Sequence, residues 1–267
     1  MTDPVVVDVG GSGARFAEVG PNRDLRDRGK RDINSIAEFV DAIRAISPTP
    51  KAVAVSTTGF VNSATGVVSS SRAAPWAQGH LAAILSDKLG GGPVYVMNDG
   101  EAHALAILAT PGVEFGAIAV ALGTGLGFGV IGSDRRIVRP CSGENWDLSD
   151  VSLKTRAPRS EVWYALGSDG LQELQDSRGS RSEGSRHFGY RLGTFLGQLT
   201  VIFQPRSIVL SGGIIREHWD EMASGVDDCM RACLRDDLQP KLIRSPFAET
   251  ALRGAQVALD SPSIFQC

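Results

Sequence analysis

The sequence predicts an α/β protein of two similar domains. Three observations carry that expectation. A strand, a glycine-rich turn and a second strand open the chain, and the same pattern restarts near residue 117. After each opening, short β-branched strands alternate with stretches of helical spacing, the pattern of helices laid on a mostly parallel sheet. The chain has 267 residues, more than one domain of roughly 150 usually needs. The expected division is 1–97 with 252–267 as one domain and 98–251 as the other.

The opening strand, Val5-Val6-Val7-Asp8-Val9, is closed by Gly10-Gly11-Ser12-Gly13, and 14–19 follows as its hairpin partner. Residues 36–46 set Ile36, Phe39, Val40, Ile43 and Ile46 on one helical face. Residues 52–56 read as a buried strand ending in Thr57-Thr58-Gly59. A helix over 81–89 precedes a strand over 94–97, which runs into Asn98-Asp99. Alanine and leucine over 101–109 predict a helix beginning near Asp99. The second half opens with a strand over 117–122, the turn Gly123-Thr124-Gly125 and a strand over 127–131. The polar stretch 139–159, with Pro140 and Pro158, reads as a long loop, which in a compact domain is usually functional or disordered. A long helix over 185–203, a strand over 207–210 ending in Ser211-Gly212-Gly213, and helices over 219–234 and 250–259 complete the chain.

Composition removes several classes of function. Hydrophobic residues at 42% and charged residues at 21% are ordinary for a globular chain and argue against disorder. The net charge, 27 − 30 = −3, gives no global attraction to nucleic acid or an anionic membrane. No apolar run reaches about 18 residues, so no membrane span is expected, and Met1-Thr2-Asp3-Pro4 does not open a signal peptide. The four cysteines, Cys141, Cys229, Cys233 and Cys267, form no C-x-x-C pair. A reduced, cytoplasmic protein without a disulfide framework is expected, and Cys229 and Cys233, one helical turn apart, read as a core face rather than a metal pair.

The two glycine turns carry the chemistry. Glycines between strands let backbone N–H groups approach and point at an anion. Ser12 adds a hydroxyl, and Gly123-Thr124-Gly125 repeats the chemistry, so two turns could grip one polyphosphate; plain hairpin turns are the alternative. Asp8 and Asp99 both fall at predicted strand C-termini, the edge where α/β sheets bind ligands. Asp99 is expected at the N-cap of the following helix, where backbone donors and the dipole favour a carboxylate able to take a proton; a simple cap is the alternative. Other motifs fail. Gly29-Lys30 is followed by Arg31, so there is no P-loop, and the G-x-G-x-x-G at Gly127, Gly129 and Gly132 lies inside a predicted strand. His103, one turn beyond Asp99, could approach the site. Arg178, Arg181 and Arg186 read as a solvated loop and helix start, with contact to nucleotide phosphates or polyphosphate as the alternative. Trp76 and Trp146 could stack on a ligand or pack in the core.

Together these segments resemble the ROK (repressor, open reading frame, kinase) family of sugar kinases, with close likeness to zinc-less glucokinases and polyphosphate/ATP glucokinases. Asp8 to Arg15 looks like the family's first phosphate motif. Residues 58–62 and 65–68 look like its substrate loop, 96–106 like the segment of the catalytic Asp, 121–129 like the second phosphate motif and 209–214 like the adenosine motif. The order holds over roughly residues 4–259. The resemblance implies the actin-like ATPase (ribonuclease H-like) fold, with the site in a cleft between two domains. It also implies transfer of the ATP γ-phosphate to a hydroxyl of a hexose or N-acetylhexosamine, with Mg²⁺. By that resemblance Asp99 is the general base, Gly59 and Asn98 bind the sugar, and Asp8 lies near the metal and its waters. Gly10, Gly11, Ser12, Gly13, Gly123, Thr124 and Gly125 hold phosphates, and Gly212 and Gly213 pass close to the nucleotide.

The sequence departs from the family in two places. Members often carry Gly-Glu-x-Gly-His, a cysteine cluster binding structural zinc, then a second sugar-binding Glu. Here Gly143-Glu144-Asn145-Trp146-Asp147 keeps the first Glu, puts Asp147 where the zinc-ligand His would stand, and lacks the cysteines. No structural zinc is expected, and Glu161 is the second sugar-binding candidate. The family's sugar-binding Asn aligns with Arg72, which implies either a shifted loop or an anionic or otherwise substituted sugar. Ser12-Gly13 followed by Arg15 is similar to the polyphosphate-using branch, so a polyphosphate donor stays open, as does sugar binding without transfer. The family's repressors carry an added helix-turn-helix before the first strand, which here begins at Val5, so no nucleic-acid partner is expected. A homodimer is common among proteins of this resemblance.

Overall fold

The computed structural model describes residues 3–11, 13–149, 151–153 and 161–265. The first half runs β1 (Val5–Gly10), β2 (Gly13–Val19), β3 (Leu25–Arg31), α1 (Ile36–Ile46), β4 (Val53–Thr57), β5 (Phe60–Asn62), β6 (Val67–Ser70), α2 (Leu81–Lys88), β7 (Val94–Asn98) and α3 (Asp99–Ala106). The second runs β8 (Ala117–Leu122), β9 (Leu126–Ile131), β10 (Ile137–Val138), α4 (Val162–Ala165), α5 (Ser168–Ser177), α6 (Arg181–Phe203), β11 (Ser207–Ser211), α7 (Gly213–Cys233), β12 (Lys241–Arg244) and α8 (Thr250–Asp260). Contacts divide the chain into two compact units. Unit 1 is Met1–Ala109, Arg136–Trp146 and Glu249–Cys267; unit 2 is Thr110–Arg135 and Asp147–Ala248.

Unit 1 is built on a sheet of order β3-β2-β1-β4-β7. The central strands β1 and β4 are continuous apolar runs because helices cover both faces, leaving no polar side to alternate with. Val5, Val6, Val7, Ala54 and Val55 are all fully buried. β1, β4 and β7 run parallel, with Asp8 opposite Ser56 and Thr57 opposite Asn98. The edge strand β3 (LRDRGKR) was not anticipated, because its charges hide it from hydrophobic patterning; such charges are how exposed edges avoid pairing with other chains. α1 falls where its apolar spacing put it. Ser35 Oγ accepts from the Glu38 N–H at 3.2 Å, satisfying one orphan donor of the first turn, and the Glu38 carboxylate accepts from the Asn34 N–H just before the cap at 2.9 Å. The C-terminal helix α8 packs on α3 and β4.

Unit 2 repeats the plan: β8 pairs antiparallel with β9 and parallel with β11, which pairs parallel with β12. Helix α6 begins at Arg181, earlier than its spacing suggested, with Ser180 as N-cap, and α7 begins at Gly213 directly after β11. α4 and α5 lie over 162–177, where no element was expected. α6 and α7 form the most extensive helix pair. Cys229 lies in that seam, its Sγ 3.2 Å from Thr194 Oγ1, but Cys233 is exposed. The pair is therefore only half a core face. The expected 139–159 loop has no helix or strand over 139–149, and most of its remainder lies outside the described residues.

Candidate active site

In unit 1 the carboxylates collect at the C-terminal ends of the parallel strands. Asp8, half-buried near the end of β1, accepts a 2.8 Å hydrogen bond from Ser56 Oγ. Burial pushes its pKa from 3.8 to about 6; the Ser56 bond opposes that, Glu249 adds to it, and Arg15 opposes it. Arg15 faces Asp8 across the β1–β2 hairpin and is engaged by Glu249 and by Asp27 at 3.5 Å. Two residues on, Gly10 pairs with Gly13 at the hairpin end and Gly11 is exposed. Ser12 lies outside the described residues.

Asp99 is the first residue of α3, not its cap. The cap is Asn98, whose Oδ1 accepts from the Gly100 N–H at 2.8 Å, while Asp99 Oδ1 accepts from the same donor at 2.8 Å. The expected preference for the ionised form is also overturned. Burial first, and the charge of Asp8 second, raise Asp99 to about 7, outweighing the hydrogen bonds that favour the carboxylate. Two carboxylates close together in a partly desolvated place cannot both ionise at low cost. His103 is pushed down to about 4 by burial and is neutral near pH 7.

The loops beside Asp99 are anchored by Asn98 and by a residue the sequence reading passed over. Asn98 Nδ2 donates to the Gly59 carbonyl at 2.8 Å. Gly59 has φ +108°, and a Cβ there would stand 2.1 Å from the Ser70 carbonyl oxygen, so only glycine fits the approach. Asn145, 7% exposed, accepts from the Val61 N–H at 2.8 Å and ties residues 143–146 to this loop. Nothing in its sequence context distinguished Asn145 from its polar neighbours. Glu144 accepts from Ser69 Oγ at 2.7 Å. Arg72 is exposed in the segment leaving β6. Trp76 stacks 5.0 Å from Phe39, a core contact, and the Trp146 indole N–H donates to the Val138 carbonyl at 2.7 Å.

Unit 2 holds the second glycine set. The Gly123 N–H is spent on the Gly125 carbonyl at 3.0 Å, and the Gly123 carbonyl accepts from the Ser168 N–H at 2.9 Å, which latches the turn to the start of α5. Thr124 is exposed at its tip. Gly212 has φ +94°, and a Cβ there would sit 2.2 Å from the Leu122 carbonyl oxygen, so the β11–α7 junction lies against the end of β8. Gly123 and Gly213 line one cavity of about 500 Å³ together with Gln172, Gln175, Arg181 and His218. Glu161 is half-buried at the N-cap of α4 and bridges to Ser152. The candidates thus fall into two sets: Asp8, Gly10, Gly11, Gly13, Gly59, Arg72, Asn98, Asp99 and Glu144 in unit 1, and Gly123, Thr124, Gly125, Glu161, Gly212 and Gly213 in unit 2.

A family model described as the ROK family matches residues 6–143. The chain belongs to the ROK family. Solved structures agree on the fold. A ROK family glucokinase from Streptomyces griseus, in complex with glucose and AMPPNP, is 18% identical with TM-score 0.75, over 95% of this chain and 98% of that one. An inorganic polyphosphate/ATP-glucomannokinase from an Arthrobacter strain is 19% identical with TM-score 0.68, over 97% and 100%. A ROK family transcriptional regulator, homolog of the E. coli MLC protein, is 17% identical with TM-score 0.82, over 98% of this chain and 78% of that one. No match is found among curated proteins. The two-sheet architecture of this ROK protein is the actin-like ATPase fold. Among the described residues, no helix is long and apolar enough to cross a membrane.

Proposed function

We propose that this ROK protein is a sugar kinase that transfers the γ-phosphate of ATP to a hydroxyl of a sugar, with Asp99 as general base. The observation that carries the reading is Asp99 itself. It lies at the C-terminal edge of a parallel sheet, its loops are anchored around it, and its pKa of about 7 matches a base working near neutrality. Asp99 takes the proton of the acceptor hydroxyl. Asn98 and Gly59 hold the acceptor loop in place, and Glu144 and Glu161 are the further sugar-binding candidates. In unit 2 the backbone of Gly123, Thr124, Gly125, Gly212 and Gly213 is the proposed nucleotide support. In unit 1 Gly10 to Gly13 is the proposed phosphate turn.

The residues present suit Mg²⁺ and ATP. Asp8 and Asp99 are like charges raised by burial, an arrangement that a nearby cation relieves. Among the described residues no group of three or more His, Cys, Asp or Glu could hold a metal ion. A Mg²⁺ kept on waters and substrate phosphates needs only one or two carboxylates, and Asp8 is the residue proposed to hold its waters. Mg·ATP supplies the phosphoryl group and the charge that stabilises its transfer. Positioning then carries most of the catalysis, with the base contributing typically about 10²–10⁴-fold.

A polyphosphate donor is a second reading, favoured by the likeness to the Arthrobacter enzyme. The test is a coupled assay of nucleotide release with Mg·ATP over hexoses, N-acetylhexosamines and polyols, with a polyphosphate arm read by sugar-phosphate formation. Turnover with a sugar that Asp99→Asn abolishes, with sugar binding retained, is the expected result. Undiminished turnover in Asp99→Asn would remove Asp99 as base. Absence of turnover with every sugar and donor would leave a sugar-binding protein.

A further inference from the structure

Most arginines near the acceptor side of unit 1 are already committed. Arg15 is engaged by Glu249 and Asp27, and Arg139 pairs with Glu101 at 2.7 Å. Arg72 differs. It is exposed and makes no hydrogen bond or ion pair among the described residues.

The backbone under Arg72 is nonetheless fixed. Ser71, 2% exposed, caps the next turn through its Oγ, which accepts from the Ala74 N–H at 3.1 Å, and its carbonyl accepts from the Gln78 amide at 3.1 Å. Ala74 is 1% exposed. Ser70 and Ser71 press against Gly59, whose carbonyl is held by Asn98, next to Asp99. On the other side, Ala73 lies against Gly11 of the first glycine turn. Arg72 therefore stands, its guanidinium unpaired among the described residues, on a fixed segment joined to the loop that Asn98 anchors.

The loop that this segment touches lies next to Asp99, and the glycine turn on its other side follows the strand of Asp8. A negatively charged acceptor brought here without a cation would be repelled. A guanidinium presents a planar fork that matches a carboxylate or phosphate with two parallel hydrogen bonds, whereas a neutral sugar leaves that fork in water.

We propose that Arg72 makes this protein a kinase for an anionic sugar, one bearing a carboxylate or phosphate that the guanidinium binds. The inference rests on the kinase reading above. The acceptor's hydroxyl oxygen forms the new bond to the γ-phosphorus, the bond to the ADP oxygen breaks, and the hydroxyl proton passes to Asp99; the acceptor's anionic group is unchanged.

The test uses the purified full chain with Mg·ATP and matched pairs of acceptors: glucose with gluconate, glucuronate and glucose 6-phosphate, and N-acetylmannosamine with N-acetylmannosamine 6-phosphate. The expected result is a higher kcat/KM for one acidic acceptor than for its neutral partner. A charge-assisted pair is worth about tenfold to a hundredfold, so Arg72→Met should shrink the acidic-to-neutral ratio by that factor, mainly through KM, and Arg72→Lys should restore part of it. The acidic KM should also rise with salt, because exposed charges are screened beyond a Debye length of about 8 Å at physiological ionic strength. Three outcomes overturn the proposal: a neutral preference that Arg72→Met does not change, an Arg72→Met effect confined to the KM for ATP or polyphosphate, or calorimetric binding of the acid that Arg72→Met leaves intact. The first two leave the kinase reading standing. Lack of transfer to any acceptor strikes that reading instead, and the calorimetric arm still decides Arg72.

Discussion

Replacing Asp99 by Asn should stabilise this protein above pH 7 even as it abolishes transfer. The carboxyl has a pKa of about 7 in the folded protein against an ordinary 3.8. The folded state therefore binds more protons than the unfolded state between those values, and stability falls as pH rises through that window. At pH 8 the full difference corresponds to roughly 4 kcal/mol, at 1.36 kcal/mol per pKa unit. Asp99 is only half-buried, so solvent screening reduces the gain from neutralising it to about 1–2 kcal/mol. Asparagine keeps an Oδ1 to accept from the Gly100 N–H, so the substitution removes charge and leaves that hydrogen bond. Urea unfolding of both proteins at pH 8 and at pH 5 measures the effect. The gain should be larger at pH 8 and shrink toward pH 4. An equal change at the two pH values, or a loss of stability at pH 8, would refute the argument that an unfavourable ionisation is stored at this site.

Three further outcomes follow from the same geometry. The pH profile of kcat/KM should fall on the acid side with a limb near 7, since Asp99 must be ionised to take a proton; a flat profile between pH 5 and 8 would contradict the assignment. Breaking the Glu101–Arg139 pair, whose side chains are 2% and 8% exposed, by either Glu101→Leu or Arg139→Met should cost about 3–5 kcal/mol in urea unfolding, while the double substitution costs less than either. Additive losses would show that the two do not act as a pair. Asn145→Ala leaves the Val61 N–H without its partner and should cost about 1–3 kcal/mol, raising the acceptor KM more than it lowers kcat; an unchanged KM would separate residues 143–146 from the acceptor.

The parts of the fold legible in the sequence were those where burial is total. β1, β4, β8 and β11 show as largely apolar runs because both faces are covered, and α1 shows as a clean stripe because one face is. β3 stayed hidden because an exposed edge is charged by design against aggregation. The start of α7 stayed hidden because Gly213-Ile214-Ile215 has poor helix propensity and is held by packing instead, with Ile214 and Ile215 buried. At the site, the positions of Asp8 and Asp99 were readable from strand ends, but their protonation was not. Local pattern gave a helix N-terminus that favours charge, and only the tertiary structure supplies the desolvation and the neighbouring Asp8 that reverse the balance. Asn145 was unreadable for a related reason: its role is a hydrogen bond to a backbone 84 positions away in sequence.

The two glycine turns look alike as sequence and differ in what the fold sets beside them. The first ends a strand that carries Asp8, on a sheet edge that also presents Asp99. Two carboxylates raised by burial meet there. The second is latched by Ser168 and opens on a cavity of about 500 Å³ walled by α5, α6 and α7, large enough for a nucleotide-sized ligand. A duplicated strand–turn–strand has therefore been furnished in two ways, one beside Asp8 and Asp99 at a sheet edge and one beside a cavity. That asymmetry suits the kinase proposed above, in which Asp99 deprotonates the acceptor and the second glycine set supports the donor. It also explains why no single motif in this chain is diagnostic: the turn is generic, and its role is set by residues that only folding brings to it.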